Sequence, residues 1–487
     1  MKGDIKTEPV SVREIGSIRE IRKSIVKVEG LSDCMLGQIV NFSDNQKGFV
    51  MGFNEKDVLL LLLQAPKGIK AGDTVYSEKK VFKIPTGDKF LGRIINPLCE
   101  PLDGKPPVEA DNFTYIFSEA PSVLDRTPLE KKLVTGIRII DSCISVARGQ
   151  RQLIVGDRMT GKTSLAVDAL LNQKGEGVIC IYCCIGRDYA SFENVVNTFK
   201  KNGAMDYMIV VSALASSSIG EQYLAPYAAA TLGEHFMYSG RDVFIVFDDL
   251  TKHAWAYREL SLLLERPPGR EAYPGDIFYL HAQLMERAAK LSPQMGGGSM
   301  SFFAIADTLQ GDIAGFIPTN LISMTDGQIY LNSSLFGEGF KPAVDLALSV
   351  SRIGNKVQSA IMKELVRNLA LNYIQYRELL KATRLRAGIS EESSAFLRRG
   401  EKIERIFTQE KNCLSPIAEQ IILFYALKSG ALDILPDERC DYFKKNILKF
   451  AQANFSGLTA KLEREEELTT SDRKELSECI VRFFKEA

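Results

Sequence analysis

Histidine and tryptophan are nearly absent from this chain. Three histidines (His235, His253 and His281) and one tryptophan (Trp255) occur in 487 residues. So few histidines exclude a His-rich zinc centre. A single tryptophan, with no basic stretch interleaved with aromatics, argues against a single-stranded nucleic-acid track. Net charge is missing too, because 61 Lys+Arg balance 61 Asp+Glu. No bulk attraction therefore draws the chain to nucleic acid or anionic lipid. Long apolar runs are lacking: the most apolar, Val58-Leu59-Leu60-Leu61-Leu62-Leu63, falls far short of the ~20 residues of a membrane-spanning helix. The start, Met1-Lys2-Gly3-Asp4, mixes charges and carries no signal-peptide core. Internal repeats and low-complexity linkers are not found. The 9 cysteines are odd in number and scattered, which fits a reduced compartment better than a disulfide framework. Cys180, Cys183 and Cys184 show a C-x-x-C spacing, but they lie inside VICIYCC, which reads as a buried strand.

What is present suits a large multidomain globular protein. Hydrophobic residues make up 45% and charged residues 25%, and the length predicts roughly three domains. Residues 1–77 contain SIVKVEG, GQIVNF, GFVMGF and DVLLLLL, short β-rich runs separated by turn residues. They predict a small all-β unit, a barrel. Residues 78–358 alternate apolar strands (RQLIV, VICIYCC, MIVVSA) with amphipathic helical stretches, the βαβ pattern of a parallel sheet. Residues 359–487 turn helical and end in a charged amphipathic helix pair. The acidic cluster Glu465-Glu466-Glu467 there reads as a solvated face.

The chemistry concentrates at Gly156-Asp157-Arg158-Met159-Thr160-Gly161-Lys162-Thr163, a G-x4-G-K-T phosphate loop between strand Leu153-Ile154-Val155 and a helix beginning near Ser164. Glycines let backbone N–H groups turn toward phosphate, and the helix N-terminus adds its positive dipole end. In such a loop Lys162 neutralises the β/γ-phosphates and the Thr163 hydroxyl coordinates Mg²⁺. A second metal-directed carboxylate, acting through a metal-bound water, is expected at the end of strand DVFIVF, where Asp248 precedes Asp249.

A hydrolytic site also needs a group to polarise water. The strand VICIYCC leads into Ile185-Gly186-Arg187-Asp188. Arg187, a cation that cannot act as a base, falls at the expected position, and Asp188 is the alternative. The residues alone predict a nucleotide site with impaired or absent catalysis.

Four segments, GDRMTGKT, DDLTKHAWAYRELSLLLERPPGREAYPGDIFYLHAQLMERAAKL, FIPTNLISMTDGQIYL and LSVSRIG, closely resemble the alpha subunits of F-type ATP synthases. The match runs from about residue 20 to the C-terminus, and the PPGREAYPGD block makes it specific. Related rings, among them the catalytic beta subunit, share the loop but not the block. The resemblance implies a β-barrel crown, a RecA-type α/β nucleotide-binding domain and a C-terminal helical bundle. It implies three alpha subunits alternating with three beta-type catalytic subunits in a hexameric ring around a gamma-type central stalk. A delta-type peripheral stalk and a membrane sector, reached indirectly, complete the complex. The ring would lie on the cytoplasmic (or stromal or matrix-equivalent) face of an energy-coupling membrane. Alpha would bind ATP or ADP with Mg²⁺ at non-catalytic sites.

Carried onto this chain, Gly156 to Ser164 surround the nucleotide, with Thr163 and Asp248 toward the metal. Phe336 packs the adenine, with Lys341 and Gln409 beside it. Arg352 falls on the family's arginine finger, which reaches a beta-bound γ-phosphate, and Ser323 matches a serine at the same interface. The chain departs from the family pattern at Met159, Arg187, Lys341 and Lys411, where glutamine or arginine is usual, and in a short N-terminus. These departures bear on nucleotide binding by this subunit and on peripheral-stalk attachment. Two other readings are a self-sufficient motor ATPase, with Asp188 activating water, and a structural ring subunit of another assembly. Proton or sodium coupling, and synthesis or hydrolysis, stay open.

Overall fold

A computed structural model describes residues 14–42, 46–64, 68–383 and 391–486. The short N-terminal segment expected to bear on stalk attachment lies outside the described residues. The chain forms two compact units, one of Met1–Pro121, Ile181–Ser239 and Phe247–Arg287, the other of Ser122–Cys180, Gly240–Val246 and Ala288–Ala487.

The first unit contains a closed six-stranded antiparallel barrel. Its strands are Glu14–Arg22, Ile25–Glu29, Gln38–Phe42, Lys47–Phe53, Val58–Leu62 and Thr74–Val81. The order is first, second, fifth, fourth, third, sixth, with the sixth pairing back to the first. Strand residues alternate sides, so Val26, Val28, Val40, Leu60, Leu62 and Val75 all point into one buried core. Gly48 is needed there: a Cβ would stand 2.7 Å from the Phe42 ring, which lies across the bare backbone. The sixth strand runs on to Val81, past the expected boundary at residue 77. The rest of this unit includes helices Tyr189–Lys201, Ile219–Tyr238, Leu250–Leu263 and Ile277–Met285 and strands Lys83–Thr86, Asn112–Tyr115 and Met208–Ala213. Ser218 and Glu221 close the second of these helices with a reciprocal capping box.

In the second unit, strand Arg151–Asp157 lies between Ser299–Thr308 and Gly327–Leu331 and is parallel to both. Strands buried on both faces carry continuous apolar runs, and SMSFFAIADT is such a run. Val350–Ser351 adds an antiparallel edge to Gly327–Leu331. Strands Val178–Ile185 and Asp242–Asp248 belong partly to each unit and are almost wholly buried. Cys180, Cys183 and Cys184 are core residues there, with burial pushing their thiols up.

Between Ala360 and Glu486 the described residues form helices at Ala360–Val366, Leu369–Thr383, Glu391–Phe407, Ile417–Lys428, Asp437–Asn454, Ser456–Glu463 and Thr470–Glu486, joined by short irregular segments. The acidic cluster is not wholly a solvated face. Glu465 turns inward, accepts a hydrogen bond from Ser359 Oγ at 2.7 Å and lies 3.8 Å from Lys132. Among the described residues no helix is long and apolar enough to cross a membrane.

Candidate nucleotide-binding site

Strand Arg151–Asp157 delivers the chain into the phosphate loop, and helix Lys162–Leu171 leaves it. Two glycines make this turn possible. A Cβ on Gly156 would stand 2.4 Å from the Leu331 carbonyl oxygen, and Gly161 adopts φ 98 at the helix N-cap. Met159 also takes a left-handed backbone, φ 65, and its side chain is 91% exposed.

Lys162 is buried and fully engaged. Its ammonium donates to the carbonyls of Gly156 (2.8 Å) and Asp157 (2.6 Å) and pairs with Asp307 at 2.9 Å. Asp307 also pairs with Arg158 at 3.3 Å. Asp157 accepts from Thr308 Oγ1 (2.6 Å) and the Gly311 N–H (2.7 Å). Burial works to raise its pKa, but these bonds, with Ser333 and Lys162, hold it below the usual carboxylate range. Asp307 was not legible as a site residue, although it is the one acid in a strand otherwise apolar or small. That exception was the available signal.

Beside the loop lies a cavity of about 240 Å³, walled by Ile137, Leu165, Phe336 and Pro342 and continuous with Thr160, Gly161 and Ser164. An apolar, aromatic-walled recess next to a phosphate loop suits a nucleobase. Lys341 stacks over the Phe336 ring at 4.9 Å from its centroid. Gln409 lines the recess, but its amide is committed to the fold. It donates to the carbonyls of Gly136 (2.7 Å) and Cys413 and accepts from the Arg138 N–H at 3.1 Å. Gln409 thus shapes the wall, leaving little of its amide to read a base. Asp168, unremarked in the sequence, also lines the recess; burial pushes its carboxyl up to about 6, opposed by the Asn412 N–H and Lys411.

The expected carboxylates after the two strands behave differently from each other. Asp248 ends strand Asp242–Asp248 and is 1% exposed. One of its oxygens accepts from Tyr182 Oη at 2.8 Å and from the Arg187 guanidinium. Burial opposes the Arg187 charge, but Asp248 outweighs it and raises the pKa further. Asp188 is exposed and caps helix Tyr189–Lys201, accepting from Ser191 N (2.8 Å) and Ser191 Oγ (2.7 Å). Those two bonds hold its carboxyl below the usual range.

Arg352 and Ser323 both lie in the second unit and both are exposed. The Arg352 backbone is pinned, its N–H donating to the Asp326 carbonyl at 2.9 Å, while Ser351 Oγ donates to the Ser145 carbonyl at 2.7 Å. The Arg352 guanidinium has no hydrogen bond or ion pair among the described residues. Ser323 Oγ donates to the Asn320 carbonyl at 2.7 Å.

A parallel-strand phosphate loop with an adjoining base recess, in a chain that also carries a closed barrel and a C-terminal helical region, defines a phosphate-loop nucleotide-binding protein. Family models agree in detail. Residues 11–79 match the β-barrel domain of the ATP synthase alpha/beta family, residues 136–351 its nucleotide-binding domain, and residues 358–483 its C-terminal domain. The protein belongs to the ATP synthase alpha/beta family. It is 44% identical over 470 residues to the ATP synthase subunit alpha of Clostridium acetobutylicum, with 96% of this sequence and 93% of the relative covered. Identity to the subunit alpha of Petrotoga mobilis is 42% over 480 residues (98% and 95%). Against that of Clostridium botulinum (strain Hall) it is 44% over 468 residues (96% and 93%).

Proposed function

We propose that this chain is the non-catalytic, nucleotide-binding alpha-type subunit of a rotary ATP synthase, and that it lends Arg352 to a neighbouring beta-type catalytic subunit. The observation that carries the reading is the pair of residues after strand Val178–Ile185. Arg187 is a cation paired with Asp248, and Asp188 is a solvent-facing helix cap held below the ordinary carboxylate range. Neither suits the task of a general base poised near neutral pH. ATP or ADP binds with its phosphates on the Gly156–Ser164 loop and its base against Phe336. The Lys162 ammonium exchanges Asp307 and the two carbonyls for phosphate oxygens, and Thr163 is the loop hydroxyl that would contact Mg²⁺. The metal, when bound, neutralises phosphate charge. Asp248, the second metal ligand expected from the sequence, fits poorly because its carboxylate already serves Tyr182 and Arg187.

Arg352 is free to act outside its own chain. Its backbone is held by the Asp326 carbonyl while its guanidinium is exposed, which supports a finger that stabilises γ-phosphate charge in a neighbour's site. Ser323 would stand at that same interface. The gamma-type stalk, a delta-type subunit and a membrane sector would be further partners. The subunit would sit at the cytoplasmic or equivalent face of an energy-coupling membrane, serving proton- or sodium-driven synthesis or the reverse hydrolysis.

The test is steady-state Mg-ATP hydrolysis by the purified protein, alone and then with beta- and gamma-type subunits. Silence alone and turnover in the mixture are expected. In the mixture Arg352→Ala should lower turnover by roughly 10³-fold or more, and Lys162→Ala far less. Turnover by the protein alone, or an Arg352→Ala mixture near wild type, would overturn the proposal.

A further inference from the structure

The fold occupies the amide expected beside the base, and an acid on the same wall is left with an open oxygen. We infer that Asp168 reads the exocyclic amino group of the bound nucleotide's base, so that a carboxylate makes this recess select an aminopurine such as adenine. The inference rests on the reading that the phosphate loop binds ATP or ADP, and every residue it uses lies in the second unit.

Position is the first support. Asp168 follows Ser164 by four residues on helix Lys162–Leu171, and both line the recess. Residues so spaced share one helix face, with a rise of about 6 Å between them along the axis. That face leads away from the phosphate loop and past the wall that carries Phe336. A nucleotide with its phosphates at the helix N-terminus extends its base along the same path.

The second support is what each polar group already does. Asp168 Oδ1 accepts from the Asn412 N–H at 3.1 Å, and no other hydrogen bond reaches this carboxyl among the described residues. Its other oxygen is available to a ligand. Burial pushes the carboxyl up to about 6, against the Asn412 N–H and Lys411, so water solvates the charge poorly. Such an acceptor gains more from an added donor than an exposed one does. The remaining candidates are committed or face outward. Thr160 Oγ1 donates to the Asp157 carbonyl at 2.7 Å, and the Gln409 amide serves three backbone groups. Lys341 stacks on Phe336, while Glu410 and Lys411 are exposed.

An ionised carboxylate only accepts, and the amino group of adenine offers it an N–H. A base with hydrogen in place of that amino group would leave the carboxylate facing carbon. Sites built on hydrogen bonds reject near-isosteres in this way.

The experiment is isothermal titration of the full-length protein in Mg²⁺ at about pH 8, where the carboxyl is ionised. The ligands are ATP and purine riboside triphosphate, which lacks the amino group. The proteins are the wild type, Asp168→Ala and Asp168→Asn, with circular dichroism to check folding. Asp168→Asn keeps a carbonyl for the Asn412 N–H, and its NH₂ then turns a donor toward the base. The wild type should prefer ATP by at least about tenfold, and both variants by less than about threefold. A role confined to holding Asn412 would weaken both ligands alike and leave the preference intact, which overturns the inference. A wild type that binds the two ligands equally overturns it as well. Failure of the wild type to bind either ligand overturns the phosphate-loop reading itself and the inference with it.

Discussion

Arg287 offers the sharpest test of the energetics. Its side chain is 1% exposed and makes a forked pair with Glu234 at 2.6 and 2.8 Å, while also donating to Thr231 Oγ1 at 2.8 Å and the Ile116 carbonyl at 3.0 Å. In Arg287→Met the Ile116 carbonyl keeps a donor, because Thr231 Oγ1 also reaches it at 3.1 Å. Glu234 is the loser, left as a buried carboxylate without its cation. Breaking a buried pair in this way costs about 3–5 kcal/mol, whereas removing both charges together costs far less. Arg287→Met should therefore lower the local opening free energy by about that amount, and Glu234→Leu/Arg287→Met should recover at least about 2 kcal/mol of it. The assay is native-state hydrogen exchange on helix Ile219–Tyr238, since a protein of several domains has no single unfolding free energy. An Arg287→Met cost within about 1 kcal/mol of zero, or a double mutant no better than the single, would refute the reasoning.

Two further outcomes can be checked directly. His253 and His281 are fully buried 3.1 Å apart, His253 also facing the Tyr223 carbonyl at 3.0 Å, and burial pushes His253 down to about 4 and His281 down as well. Both stay neutral when folded, but the unfolded protein binds protons below about pH 6.5, so stability is lost as pH falls from about 6.5 toward 4. His253 alone should account for roughly 3 kcal/mol, and an acid titration followed by circular dichroism should flatten in His253→Gln; an unchanged slope would count against the burial argument. Asp188→Ala should loosen the first turn of helix Tyr189–Lys201, seen as faster exchange of the Ser191 N–H, while complex turnover stays at wild type. A collapse of turnover would make Asp188 the water-activating acid.

The loop and its strand were readable because a phosphate cradle needs particular residues at fixed spacing. The barrel was partly readable. Four of its strands carry conspicuous apolar runs, but Glu14–Arg22 and Thr74–Val81 are rich in charge and alternate more faintly, so apolar runs alone undercount them. Asp307 and Asp168 are not legible in the sequence because their roles depend on partners far along it: Lys162 for one, the Asn412 N–H for the other. Gln409 shows the converse. Its place beside the recess was anticipated, yet the Gly136, Cys413 and Arg138 backbone groups that occupy its amide belong to segments about 270 residues away or in the next turn of backbone. Residue type reveals what a side chain can do, and only the fold determines which capacity is already used.

The closed barrel has a consequence for assembly. With its sixth strand bonded to its first, it presents no open ladder of backbone donors and acceptors. A neighbouring copy cannot extend the sheet, so recognition must be written in side chains such as Ile15 and Phe53, which stand exposed on its outer surface. Extension of this sheet from chain to chain, which an open edge would permit, is thereby excluded. Substitutions on that outer surface should change which subunits meet, and leave the barrel's own interior undisturbed.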